Sequence, residues 1–322
     1  MKSFFSVLIL VAVVGSLSGC SLSPTETLAT NEASHPCVGP AITIGDISDN
    51  PAEVITDKQP LANYLAERLA AFGYKCGKVL VPDTVDKMIT YFENGEVDIY
   101  MDSMYPAFLV SDATGAKPVL RRRRNCTSDY NSVIFTTVDS GISIKDLPGH
   151  MIAMDRSYST SGFALPASYL LDRGLNLVVK GSYDEPLAQN EVGVIYSLDD
   201  KNSLNLVLEG KVSAAATDSY YFGKWDKEAP GRLIKLAETM PVPRQVVLVR
   251  SGLANDLQNA IKKELANAHL DPIGRSIIEG DAQTCKYDDI PDGIEAAFTQ
   301  MREMHMKIKE IPGWQDAFMK GR

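Results

Sequence analysis

Short apolar runs of strand length alternate along this chain with segments whose apolar residues recur at helical spacing. Ala41-Ile42-Thr43-Ile44-Gly45 reads as a first strand, and Pro60 to Phe72 reads as a helix that Gly73 stops. Val79 to Pro82 predicts a second strand, Thr84 to Phe92 a helix ended by Asn94-Gly95, and Glu96 to Met101 a third strand. The middle of the chain repeats the plan, with strands over Ser132 to Thr137, Met151 to Met154 and Val212 to Asp218. Gln245 to Arg250 is a last β segment, followed by an amphipathic stretch from Leu253 to His269 and a methionine-rich, charged helix over Ile294 to Lys309. Such alternation predicts parallel sheet flanked by helices. There is no internal repeat.

The first residues follow a different pattern. Lys2, the apolar run Phe4 to Val14 and the small residues before Cys20 have the layout of a secretory signal, too short for a stable transmembrane helix. Its end resembles a bacterial lipobox, which implies that Cys20 is lipidated as the first residue of the mature protein. Residues 1–19 are therefore expected to be a lipoprotein signal peptide. Residues 20–36, rich in Ser, Thr, Pro, Ala and Glu without periodicity, are expected to be a flexible tether. This places the protein outside the cytoplasm, membrane-anchored and facing the periplasm or the cell exterior. In that oxidising setting Cys37, Cys76, Cys126 and Cys285 predict two disulfides with three possible connectivities. Cys37 with Cys76 is favoured, because each precedes an apolar strand that could neighbour the other; Cys126 with Cys285 then remains.

Composition narrows the function classes. A chain of 322 residues, 45% of them hydrophobic, can bury one large core or two moderate ones. A formal charge of -9 argues against a general nucleic-acid binder. Arg121-Arg122-Arg123-Arg124 is the one dense basic run; it reads first as a solvated surface loop, and otherwise as a positive field at the mouth of an anion site. The four histidines are scattered and no cysteine spacing suits zinc, so no metal or cofactor is indicated. No GxSxG, HExxH or Walker motif occurs, and an enzyme is not expected.

The junction after the Met151 to Met154 strand carries the chemistry. Asp155-Arg156-Ser157-Tyr158 leads into Ser159-Thr160-Ser161-Gly162, hydroxyls at a helix start. The first amides of a helix lack intrahelical acceptors and sit at its positive end, so an oxyanion there gathers several donors. By itself the block reads first as one capping serine among hydroxylated neighbours.

Three segments in order resemble one family. They are Asn94-Gly95-Glu96-Val97-Asp98-Ile99 with the loop through Pro106, Tyr130 to Gly149 with the STSG block behind it, and Glu209 to Ser219 with its alanine-rich strand. The chain is similar over about Ala41 to Gly280 to the phosphate/phosphite/phosphonate-type (PhnD-like) periplasmic substrate-binding proteins of ABC transporters. The resemblance implies an α/β, two-lobed type II binding fold, each lobe a mixed, mainly parallel sheet flanked by helices, with two crossovers at a hinge. Lobe 1 would comprise 37–128 plus 247–322 and lobe 2 129–246, closing on ligand.

By the same resemblance Ser159, Thr160 and Ser161 bind the oxyanion and Asp218 is a pocket carboxylate, a selector of proton or amine on the ligand. Tyr100, Asp102, Ser103 and Tyr105 contribute from the first lobe. Here Met101 and Asp102 replace the family's aromatic-Gly character, and a second acid near the cleft leans toward a ligand with a cationic end such as an aminoalkylphosphonate. A histidine of some members falls near Asp199-Asp200, read as a surface turn, and Tyr130 is read as shaping the hinge. The implied partners are a small phosphorus oxyanion, an ABC permease and, through the lipid, a membrane, with the protein a monomer. The alternatives are a sensory subunit presenting ligand to a membrane receptor or kinase, and a binder of an amine or betaine.

Overall fold

The computed structural model describes residues 37–290 and 293–321, so the signal peptide and Cys20 lie outside the described residues. Two six-stranded sheets form the framework. The first runs, edge to edge, Cys76–Leu80, Ala41–Gly45, Ile99–Asp102, Gln245–Val249, Lys117–Arg122, Tyr287–Asp288. Its first three strands are parallel, and Gln245–Val249 lies antiparallel to both of its neighbours. The second runs Asn176–Val179, Glu191–Tyr196, Met151–Met154, Ala214–Asp218, Ser132–Thr137, Leu233–Glu238, with its first four strands parallel. The chain passes between the sheets twice, and the two passages, Asp129–Tyr130 and Val242–Pro243, pair as a short antiparallel ribbon. This is the sheet-and-helix plan that the alternating pattern predicted, in the two-lobed arrangement that the family resemblance implied.

The strands form where β-branched and apolar residues are concentrated, and the central ones are buried end to end, as strands covered by helices on both faces must be. Helix Pro51–Arg68 begins earlier than the periodicity suggested and carries Pro60 within it; the buried stripe of Leu61, Ala62 and Leu65 holds it on the first sheet. Gly77 permits that contact, because a Cβ there would lie 2.1 Å from the backbone of Ala62. The region read as a loop after Ile99–Asp102 is a helix, Met104–Thr114, apolar nearly all round and therefore interior.

Both disulfides of the favoured pairing are present, with Cα atoms 5.8 Å apart for Cys37–Cys76 and 5.0 Å for Cys126–Cys285. The first follows from register: Ala41 is the partner of Cys76 in the parallel pair.

Helix Ile294–Ile308 differs from the sequence reading, which attached it to the first lobe alone. It buries Phe298, Met301, Met304 and Ile308, packs on Met104–Thr114 of one lobe and on Leu165–Leu171 of the other, and makes an ion pair to each side through Arg302–Asp112 and Lys307–Asp172. One hydrophobic cluster accordingly runs through both lobes, from Met104 and Phe108 to Phe163 and Trp314. Among the described residues no helix is long and apolar enough to cross a membrane.

Candidate functional site

A cleft of about 420 Å³ lies between the lobes, lined by residues that follow the carboxyl ends of strands in both sheets, where open α/β sheets place their ligands. The first lobe contributes Asp46 after Ala41–Gly45, Asp102 and Ser103 at the end of Ile99–Asp102, and Arg122 and Arg124. Gln245 joins them because its strand runs the other way, bringing its first residue to the same edge. From the second lobe come Asp155, Arg156, Tyr158, Ser159, Ser161, Asp200 and Asp218, with Tyr130 and Arg244 from the two passages.

The STSG block divides its hydroxyls among three tasks. Ser159 caps the helix, its Oγ accepting from Gly162 N at 3.2 Å, while its hydroxyl also serves the Asp155 carboxylate. The helix opens with a π-turn in which Ala164 N donates to Ser159 O at 2.9 Å. Thr160 turns away from the cleft and accepts from the backbone N of Tyr105 at 2.8 Å, tying the cradle to the other lobe. Ser161 faces the cleft, and the hydroxyls of both Thr160 and Ser161 lie beside the phenol of Tyr130. Gly162 is required by packing: a Cβ there would sit 2.3 Å from the Cβ of Asp155. Trp314 Nε1 donates to Ser157 O at 3.0 Å and fixes the loop that enters the turn.

Asp102, Ser103 and Asp218 also line the cleft, but Tyr100 and Tyr105 do not. Tyr100 is fully buried and donates to Asp102 Oδ2 at 2.6 Å, so it orients that carboxylate from beneath. Tyr105 belongs to a helix rather than to a loop, and the helix aims its hydroxyl at Nδ1 of His305, 2.9 Å away in the C-terminal helix. Asp218 caps helix Ser219–Glu228 through Tyr221 N at 2.7 Å and accepts from Arg244 at 3.2 Å, so both oxygens are already served. Arg244 in turn lies 4.2 Å over the Tyr130 ring.

Several cleft residues escaped the sequence reading. The arginine run is not a surface loop. Arg121 and Arg122 end a buried strand, Arg122 binding Asp281 at 2.8 Å and Arg121 reaching Asp129 and Asp288. Arg122 and Arg124 both line the cleft, but Arg122 is taken up by Asp281, whereas the Nε of Arg124 is shielded without a hydrogen-bond partner and Arg124 forms no ion pair among the described residues. Asp200, read as part of a surface turn, is half-buried in the cleft wall and accepts from Thr217 Oγ1 at 2.7 Å. Only the pairing of lobes could have revealed these, since a basic run and an Asp-Asp turn carry no local signal of burial.

The cleft carboxyls fall into two electrostatic groups. Burial pushes Asp281 up, but Arg122 and Lys58 beside it outweigh burial and hold it below the usual carboxylate range. Burial raises Asp102, and neighbouring Asp46 adds to it. Burial likewise raises Asp155, with Asp199 adding to it, and pushes Asp200 to about 7 with Asp155 adding to it. No group of three or more His, Cys, Asp or Glu among the described residues is arranged to hold a metal ion.

A profile of the family described as ABC transporter, phosphonate, periplasmic substrate-binding protein matches residues 46–286. XAC2383 from Xanthomonas citri, solved with chloride, is similar over 84% of this chain and 98% of its own, at 24% identity and a TM-score of 0.78. PhnD1 from Prochlorococcus marinus, solved with methylphosphonate, covers the same shares at 14% identity and a TM-score of 0.63. A binding-protein component of an ABC phosphonate transporter from Pseudomonas aeruginosa is similar at 15% identity and a TM-score of 0.59, over 84% of this chain and 87% of its own. No curated protein sequence matches the chain. A family match spanning most of both lobes, on a fold whose cleft opens between paired strand ends, establishes that this chain belongs to the phosphonate-type periplasmic substrate-binding proteins of ABC transporters.

Proposed function

We propose that the protein captures a small phosphorus oxyanion, a phosphonate, phosphite or phosphate, in the interlobe cleft and delivers it to an ABC permease. The observation that carries this reading is the meeting of Ser161 and Tyr130 with Arg124, a cleft guanidinium that makes no ion pair among the described residues, in one cavity. The helix-start amides and Ser161 supply donors, and the guanidinium supplies charge-assisted bonds of the kind that select phosphorus oxyanions. Ser159 caps the turn and Thr160 positions it. Asp218 holds Arg244 over Tyr130. Opposite, Asp102 and Asp46 favour a ligand with a cationic end, an aminoalkylphosphonate, because Asp102 makes no ion pair among the described residues.

On this reading the first lobe comprises 37–128 with the segment from 245, since strand Gln245–Val249 belongs to the first sheet and the boundary at 247 falls two residues late; the second lobe comprises 129–244, and helix Ile294–Ile308 is shared. The lobes move about the ribbon of 129–130 and 242–243. Lipidation of Cys20 holds the binding domain at the membrane surface, with 20–36 as its tether. Native mass spectrometry of the purified chain, followed by calorimetry with phosphate, phosphite, methylphosphonate, 2-aminoethylphosphonate and glycine betaine, tests the ligand class. Binding of betaine alone would overturn it. Cys20→Ala should release the protein from the membrane fraction.

A further inference from the structure

Asp155 is the cleft group that the anion reading leaves without an explanation. It stands directly under the helix start where the oxyanion would sit, its Cβ within 2.3 Å of where a Gly162 Cβ would be. A bare carboxylate there would repel the ligand. One of its oxygens, Oδ1, is shielded from water and has no hydrogen-bond donor, although the side chain lines the cleft. Ser159 serves the carboxyl group, and Arg156 is engaged across the cleft mouth with Asp49 at 3.0 Å. The other groups facing Asp155 are Tyr158 on its own loop and Asp199 and Asp200 at the start of helix Asp200–Leu208. Asp102 faces the loop from the first lobe, through Tyr158.

We propose that Asp155 is a specificity-determining residue that shares one proton with the bound oxyanion, so that the cleft selects ligands able to bring that proton and rejects sulfonates. This rests on the phosphorus-oxyanion reading above. A monoprotonated phosphonate supplies a P–OH whose proton fills the empty position on Asp155, so carboxylate and anion meet through a hydrogen bond instead of as like charges. A sulfonate is fully ionised and brings no proton. Its binding requires Asp155 to take one from solvent, which becomes harder as pH rises. Burial and the neighbouring acids raise Asp155, which is the setting in which such a proton is retained.

Calorimetry of the full chain with methylphosphonate and methanesulfonate tests the idea. At about pH 7.5 the wild type should prefer methylphosphonate by on the order of 100-fold or more, because a site built to share a ligand hydroxyl rejects the analogue that lacks it. The gap should narrow at about pH 5, where solvent supplies the proton. Asp155→Asn, close in shape, should bring the two ligands within roughly tenfold at both pH values. Equal wild-type affinities for the two probes, or a gap that does not change with pH, would overturn the role of Asp155 while leaving the oxyanion reading intact. Should the variant not fold, the wild-type pH series alone decides. Failure of methylphosphonate, phosphite and phosphate all to bind would overturn the oxyanion reading and this inference with it.

Discussion

A buried aspartate, Asp281, and a set of half-buried ones, Asp102, Asp155 and Asp200, line the same cleft with opposite electrostatics. Asp281 is gripped by Arg122 at 2.8 Å and Lys58 at 3.3 Å, and Arg122 also donates to Thr284 and Gln245. Asp155 and Asp200 make no ion pair among the described residues, and Asp102 is served by Tyr100 and Ser103 without a cation. Burial raises the carboxyl in both sets, so the sign of the net shift depends on whether a cation was folded into place beside it. The first set is a finished structural device. The second is held in a state that a proton or a ligand must complete, as functional sites often are.

The largest test of this contrast is Asp281→Ala, which leaves Arg122 and Lys58 charged and buried. It should cost about 3–5 kcal/mol, read from urea unfolding; a loss below 1 kcal/mol would place the network outside the stabilising set. Ser161→Ala should weaken oxyanion binding roughly 10- to 100-fold, the worth of one hydrogen bond to a charged acceptor, with the melting temperature unchanged. By contrast, Ser159→Ala should lower stability by about 0.5–2 kcal/mol through loss of the cap.

Asp200→Asn should act in the opposite sense to Asp281→Ala. A carboxyl raised to about 7 favours the fold below its unfolded value near pH 4, and that contribution is lost as pH rises through 7. Removing the ionisable group should therefore stabilise the ligand-free protein by on the order of 1–3 kcal/mol at about pH 8, and by almost nothing at about pH 4. For Asp281 the sign reverses, since its stability is present above the unfolded value and is lost as pH falls below it. A melting-temperature profile that rises from pH 8 toward pH 5 and collapses below about pH 4 would display both sets at once. The smallest effect belongs to Asp49→Asn, which breaks the pair with Arg156 across the cleft mouth; with Asp49 well exposed, affinity should fall no more than about fivefold.

Local pattern carried much of the architecture. Ser132–Thr137 and Met151–Met154 stand where their apolar runs placed them, and the cysteine pairing followed from two strands that could be neighbours. The STSG turn was legible for the same reason, since hydroxyls before a helix start have few alternative uses. Helix Met104–Thr114 was missed because it is apolar on all sides, leaving no period to detect, and with it went the placement of Tyr105.

The sequence by itself determined the alternation of strands and helices and the hydroxylated turn, because each depends on residues close together; it favoured one of three cysteine pairings, and the structure shows that one. Tertiary structure alone decided what each charged group does. Arg121, Arg122 and Arg124 are near neighbours in one run, yet one ends in a bridge between Asp129 and Asp288, one in the buried grip of Asp281, and one in the cleft. The state of a carboxylate depends on the dielectric around it and on the nearest cation, and here both are supplied from segments distant in the chain: Asp281 for Arg122, and Asp200 beside Asp155.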